Sequence, residues 1–133
     1  MLGIEHIGIA VKNIADSVKL FEALLNTPCY KTEVVESEKV TTAFFKSGET
    51  KIELLESSSP ESAIAKFIAA HGEGLHHIAF EVEDIENEMA RLKEDGFTLL
   101  RDKPFRGADN KMVCFIHPKS SNGVLVELCQ EIK

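Results

Sequence analysis

Strand-like alternation gives way to helical spacing twice along this chain. From Ile4 onward, Ile7, Ile9 and Val11 alternate with His6, Gly8 and Ala10, the period-two pattern of a half-buried strand. The period then lengthens over about 14–26, where Val18, Phe21, Leu24 and Leu25 form an apolar stripe and Asn13 is a fitting N-cap. Strands are predicted next at about 30–36, 40–46 and 51–56, with Ser47-Gly48-Glu49 as a turn. A linking helix is expected over about 60–71, with Ser59 as N-cap and Pro60 in the first helical position. Gly72-Glu73-Gly74 reads as a hinge.

The second round begins at Leu75. Ile78, Phe80 and Val82 alternate with His77, Ala79 and Glu81. A helix over about 85–95 follows, with Asp84 as N-cap, Met89 and Leu92 on its stripe and Gly96 as the stop. Strands at about 97–100, 111–116 and 123–130 close the pattern. Position by position, His6, Ile7, Val11 and Ile14 recur as His77, Ile78, Val82 and Ile85, at a constant offset of 71 residues. The halves also end alike, with Lys51-Ile52-Glu53-Leu54-Leu55 against Leu125-Val126-Glu127-Leu128-Cys129. The expected fold is therefore α+β: two tandem βαβββ modules related by a pseudo-twofold axis and enclosing one metal-binding cavity. Residues 1–133 are expected to form a single domain, with module one at about 1–58 and module two at about 74–131.

Strand parity turns this pattern into chemistry. Side chains alternate across a strand, so Ile7, Ile9 and Val11 pack under the helix and His6 faces the other way. The same rule separates His76, on the helix face, from His77, the counterpart of His6. Glu53 is out of phase with Ile52 and Leu54, and Glu127 with Val126 and Leu128. Each half thus offers one His and one Glu on the face away from its helix. A lone His or Glu at such a position is usually structural or solvated, but the same two types recur at equivalent places. Two imidazoles and two carboxylates suit a borderline or hard divalent ion such as zinc, cobalt, nickel, manganese or iron. Four protein ligands leave room for substrate on an octahedral ion. His71 reads as a helix-end charge, and His117, before Pro118, as structural or substrate-facing.

Composition narrows the partners. The formal net charge of -7 argues against nucleic acid, which demands a basic face. No apolar run is long enough to span a membrane. The first residues lack a basic n-region, so no export signal is expected. Cys29, Cys114 and Cys129 are odd in number and form no CxxC pair, which fits free core thiols in a reducing cytoplasm. Against the acidic background, residues 101–119 carry Arg101, Lys103, Arg106, Lys111 and Lys119 but only Asp102 and Asp109. That patch is a candidate anchor for a small anionic substrate.

Three stretches carry a specific resemblance: Ile4-Glu5-His6-Ile7-Gly8-Ile9-Ala10-Val11, Gly74-Leu75-His76-His77-Ile78-Ala79-Phe80-Glu81-Val82, and His117-Pro118-Lys119 with Gly123-Val124-Leu125-Val126-Glu127-Leu128. With these the chain resembles the vicinal-oxygen-chelate superfamily (the glyoxalase, bleomycin-resistance and dioxygenase group). Within it, the resemblance is closest to the methylmalonyl-CoA epimerases, over essentially the whole chain; Ser62-Ala63-Ile64-Ala65-Lys66-Phe67 adds to it. The resemblance implies a metal-dependent inversion at C2 of methylmalonyl-CoA through an enolate. It further implies a homodimer, acid–base roles for Glu127 and Glu53, and acyl-carboxylate contacts from Lys119, Ser120 and Ser121. Lys103, Arg106 and Lys111 are expected at the nucleotide end of the coenzyme.

One departure from that family stands out. Some epimerases have Gln where this chain has Glu53, together with a separate acidic residue on an earlier strand. Here the strand at 39–45 has no carboxylate, and Glu38 lies just before it. Glu127 therefore ranks first as the acid–base group, Glu53 second and Glu38 third. The alternative is glyoxalase I, lactoylglutathione lyase, which isomerises a hemithioacetal with the same ligand set. Against it stand Leu54-Leu55-Glu56-Ser57 after Glu53 and Ile9-Ala10 in the first strand, where a basic residue is common in glyoxalases. A metal-free binding or resistance protein of the same fold is a third reading; such proteins typically lose several of the four ligands, all of which are present here.

Overall fold

A computed structural model describes all 133 residues. It contains eight strands and three α-helices, a mixed α+β class. In chain order these are β1 (Gly3–Ala10), α1 (Ile14–Leu25), β2 (Lys31–Val35), β3 (Val40–Ser47), β4 (Thr50–Ser57), α2 (Ala63–His71), β5 (Gly74–Glu81), α3 (Ile85–Glu94), β6 (Phe105–Arg106), β7 (Lys111–Ile116) and β8 (Val126–Glu131). Both βαβββ rounds read from the sequence are present. Contacts group the chain into two compact units, His6–His76 on one side and Met1–Glu5 with His77–Lys133 on the other.

In the unit His6–His76 the strand order is β2-β3-β4-β1. The hairpins β2–β3 and β3–β4 are antiparallel, and β1 returns parallel to β4. Asn13 caps α1 through its side chain, which accepts from the Asp16 N–H at 3.0 Å. Asn26 ends the helix in the left-handed conformation that Asn tolerates. The stripe of α1 covers one face of the sheet: Ile14, Val18, Phe21 and Leu25 pack on Val11, Ala43, Phe45 and Leu54. Phe45 and Leu54 are wholly buried there.

The other unit repeats the plan with order β5-β8-β7-β6. Here β5 runs parallel to β8, and β7 antiparallel to both β8 and β6. Asp84 caps α3 by accepting from the Asn87 N–H at 3.1 Å. Ile85, Met89 and Leu92 then pack on Val82, Cys114, Ile116 and Leu128.

Three boundaries differ from expectation. The linking helix starts at Ala63, capped by Ser62, whose hydroxyl accepts from the Ala65 N–H at 3.0 Å. Ser59 instead takes part in the preceding turn, its carbonyl accepting from the Ser62 N–H at 3.1 Å. The strand expected at 97–100 shrinks to a single bridge between Leu99 and Ile116, and regular pairing resumes only at Phe105. The last strand begins at Val126, because Pro118–Ser121 forms a 3-10 turn closed by Asn122 and by Gly123 at φ 84°. No helix is long and apolar enough to cross a membrane.

Candidate metal centre

Each unit builds one His–Glu pair, and it builds it in the same way. In the unit His6–His76, Gly8 of β1 lies opposite Glu53 of β4. His6, two residues earlier, shares the face of Gly8. The missing side chain at Gly8 leaves room for the imidazole and the carboxylate to meet, with His6 Nε2 3.2 Å from Glu53 Oε1. In the other unit, Ala79 of β5 lies opposite Glu127 of β8. His77 Nε2 is 3.3 Å from Glu127 Oε1. The small residue, the parallel register and the separation are thus all repeated. All four side chains are buried.

Parity explains why these four side chains face away from the helices. Ile52 and Leu54 flank Glu53 and belong to the core under α1. Val126 and Leu128 flank Glu127 and belong to the core under α3. The adjacent histidines diverge accordingly. His77 stands edge-on to Phe115, ring centroids 5.8 Å apart. His76 packs edge-on against Phe67 of α2 at 4.9 Å. Burial lowers the His76 pKa to about 4, so that ring is neutral near pH 7 and serves as an apolar packing group.

The spacing within each pair fits two ligands of one ion. Metal–ligand bonds of about 2.1 Å place neighbouring ligand atoms roughly 3.0 Å apart in an octahedron and roughly 3.4 Å apart in a tetrahedron. The observed 3.2 and 3.3 Å lie between these limits. Buried carboxylates are otherwise costly, and pairing or coordination is what makes them tolerable.

The remaining expected site residues are spread more widely. Lys103, on the loop before β6, and Arg106, in β6, are exposed, and Arg106 donates to Asn110 Oδ1 at 2.6 Å. Arg101 lies over the Phe105 ring, 3.8 Å from its centroid. Lys111 does not join that exposed patch: it is buried, with its Nζ 4.0 Å from Glu5 Oε2. Lys119 is exposed on the 3-10 turn. The hydroxyls of Ser120 and Ser121 serve that turn. Ser120 Oγ accepts from the Thr98 N–H at 3.0 Å, and Ser121 Oγ donates to the Val124 carbonyl at 2.6 Å. His117 Nδ1 accepts from the Lys119 N–H at 3.1 Å. Glu38 sits in the β2–β3 turn, outside both strands. Two acidic residues escaped the sequence reading. Glu33 of β2 pairs in register with Thr42, on the face of Phe44 and Glu53. Glu5 is buried, on the face of β1 that alternation shares with Ile7 and Ile9.

Comparison with known proteins settles the family. Residues 5–115 match the Glyoxalase/Bleomycin resistance protein/Dioxygenase superfamily. The chain belongs to this superfamily. An ethylmalonyl-CoA/methylmalonyl-CoA epimerase of Cereibacter sphaeroides is 38% identical over 133 residues, covering 98% of this chain and 99% of the relative. The Bacillus subtilis protein YqjC, described as uncharacterized, is 39% identical over 127 residues, covering 96% and 91%. A solved Streptomyces coelicolor methylmalonyl-CoA epimerase variant, in complex with 2-nitronate-propionyl-CoA, superposes with a TM-score of 0.95 at 34% identity, covering 100% of this chain and 99% of that one. The superfamily is the one that the stretches at 4–11, 74–82 and 117–128 resemble, and these relatives align over 96% or more of the chain.

Proposed function

We propose that this chain is a metal-dependent epimerase that inverts C2 of methylmalonyl-CoA. The observation that carries the metal reading is the His–Glu pair built twice at the same register, 3.2 Å apart in one unit and 3.3 Å in the other. The substrate reading is supported by epimerases of like length and fold, one of them holding an acyl-CoA analogue. In this reading His6, Glu53, His77 and Glu127 share one divalent ion, of the cobalt, zinc, nickel, manganese or iron kind. Such an ion, when bound, would supply Lewis acidity to stabilise the enolate charge that forms as C2 loses its proton.

The chain's own residues do the rest. Inversion requires a group that removes the C2 proton and another that returns one to the opposite face. Glu127 takes the first role and Glu53 the second, the carboxylates that recur at equivalent register in the two modules. Phe115, opposite Glu127 in β7, and Phe44, opposite Glu53 in β3, give both carboxylates an aromatic neighbour. Such neighbours limit water beside the carboxylates and strengthen their electrostatic hold on the reacting carbon. Lys119 and the turn 120–122 face the acyl carboxylate. The enzyme is a homodimer of the cytoplasm.

The test is a paired assay of the cobalt-loaded protein. A single epimer of methylmalonyl-CoA is expected to racemise, while the hemithioacetal of glutathione and methylglyoxal stays unchanged. Turnover of the hemithioacetal alone would reassign the protein as a lactoylglutathione lyase.

The exposed basic loop supplies a further expectation. Lys103 and Arg106 are exposed and lead through β7 toward the face of Glu127. Replacing both by alanine is expected to raise KM for the CoA ester several-fold at low salt and less at high salt, because exposed charges are screened within about 10 Å at 0.1 M. Equal KM values at low salt would remove the loop from coenzyme binding.

A further inference from the structure

The residue that precedes His6 is a buried carboxylate. Glu5 is 8% exposed and Lys111 7%. Their charged atoms stand 4.0 Å apart, an ion pair longer than a hydrogen bond. Lys and Glu are almost never buried this far without a partner. A buried ion pair is also a poor source of stability, since apolar replacements of similar volume often fold as well or better. Its best-attested use is to fix register, and this position is where register matters.

The grouping of the chain shows why. Met1–Glu5 belongs with His77–Lys133, and the next residue, His6, opens the other unit. Glu5 is therefore the last residue of β1 held by the unit that carries Glu127. Its carboxylate lies within 4.8 Å of Cys129 Sγ, two residues beyond Glu127 on the same face of β8. Side chains alternate along β1, so a slip of one residue would present Glu5 where His6 belongs. A buried charge paired with Lys111 adds to the constraint that the apolar face of the strand sets.

We infer that Lys111 and Glu5 are a positioning pair for His6: the ammonium holds Glu5 in the interior and so fixes the strand that delivers the imidazole. This rests on His6 being a metal ligand, as proposed above. It gives Lys111 a place in the site that differs from contact with the nucleotide. Neither residue touches the substrate in this reading.

The experiment compares the parent chain with the double variant Glu5→Leu/Lys111→Met, in which an apolar pair replaces the charges. Melting temperature without metal, cobalt affinity, and the visible absorption of the protein at saturating cobalt are measured for each. The double variant is expected to melt at or above the parent temperature. Its cobalt affinity is expected to fall about 10–100-fold, the range found when a ligand loses its supporting partner, with an altered band at saturation. A merely structural pair moves the melting temperature but not the saturated spectrum. Parent-like affinity with a parent-like band overturns the inference. Should the double variant fail to fold, Glu5→Asp keeps the charge and withdraws it by one methylene; unchanged cobalt affinity and spectrum in that variant equally overturn it. Absence of cobalt binding by the parent chain overturns the metal centre itself and the positioning role with it, an outcome distinct from a loss confined to the variants.

Discussion

Glu127→Gln is expected to lower C2 proton exchange by roughly 10²–10⁴-fold, the usual worth of a positioned acid–base group. The amide keeps the shape and one carbonyl oxygen, so the chain still folds and retains much of its metal affinity. It loses the capacity to accept a proton. Glu127 is buried, opposite Phe115 in β7 and Ala79 in β5. Glu38→Gln is the matching control. Glu38 sits in the β2–β3 turn, and its replacement should be nearly silent. Single-turnover exchange measured for both variants at saturating cobalt checks the pair of expectations. Full activity in Glu127→Gln would move the base to another residue, with Glu53 the next to examine.

The second large effect concerns the metal ligands. His77→Ala removes one imidazole of the pair at 3.3 Å. Cobalt affinity should drop by two or more orders of magnitude, and exchange should be lost at any cobalt concentration that the parent needs for full activity. His76→Ala is the contrasting variant. That ring packs on Phe67 and its pKa is held to about 4 by burial, so its removal should affect stability and leave the cobalt affinity nearly unchanged. Equal cobalt affinities for His77→Ala and the parent, by titration of the visible bands, would contradict the ligand assignment. Parity alone distinguishes these two neighbouring residues, so the comparison tests the strand argument as well as the chemistry.

The sequence made the repeated elements legible because they depend on local period. Alternation in β1 and β5, the stripes of α1 and α3, and the caps Asn13 and Asp84 are all decided by residues a few positions apart. The pairs His6–Glu53 and His77–Glu127 were legible for a different reason. Duplication repeats a non-local register, so an equivalence along the chain stands in for contacts that a single module would hide. What the sequence concealed depends on competition between similar local signals. Ser59 and Ser62 are both good caps, and the turn that consumes the Ser59 carbonyl leaves Ser62 to start α2. Residues 97–100 alternate like a strand, but only Leu99 forms a bridge before the chain turns away. Glu5 was hidden most deeply. Alternation gives its face but not its partner, and Lys111 is more than a hundred residues away in the chain.

Deuterium wash-in at C2 of methylmalonyl-CoA, followed by proton NMR in heavy water, tests the central claim most directly. The measurement is made on the chelator-treated protein and again after addition of cobalt. The C2 proton signal is expected to persist with the metal-free protein and to disappear on cobalt addition, without net conversion to any other acyl-CoA. A C2 proton that persists under both conditions, while cobalt is demonstrably bound, would contradict the account.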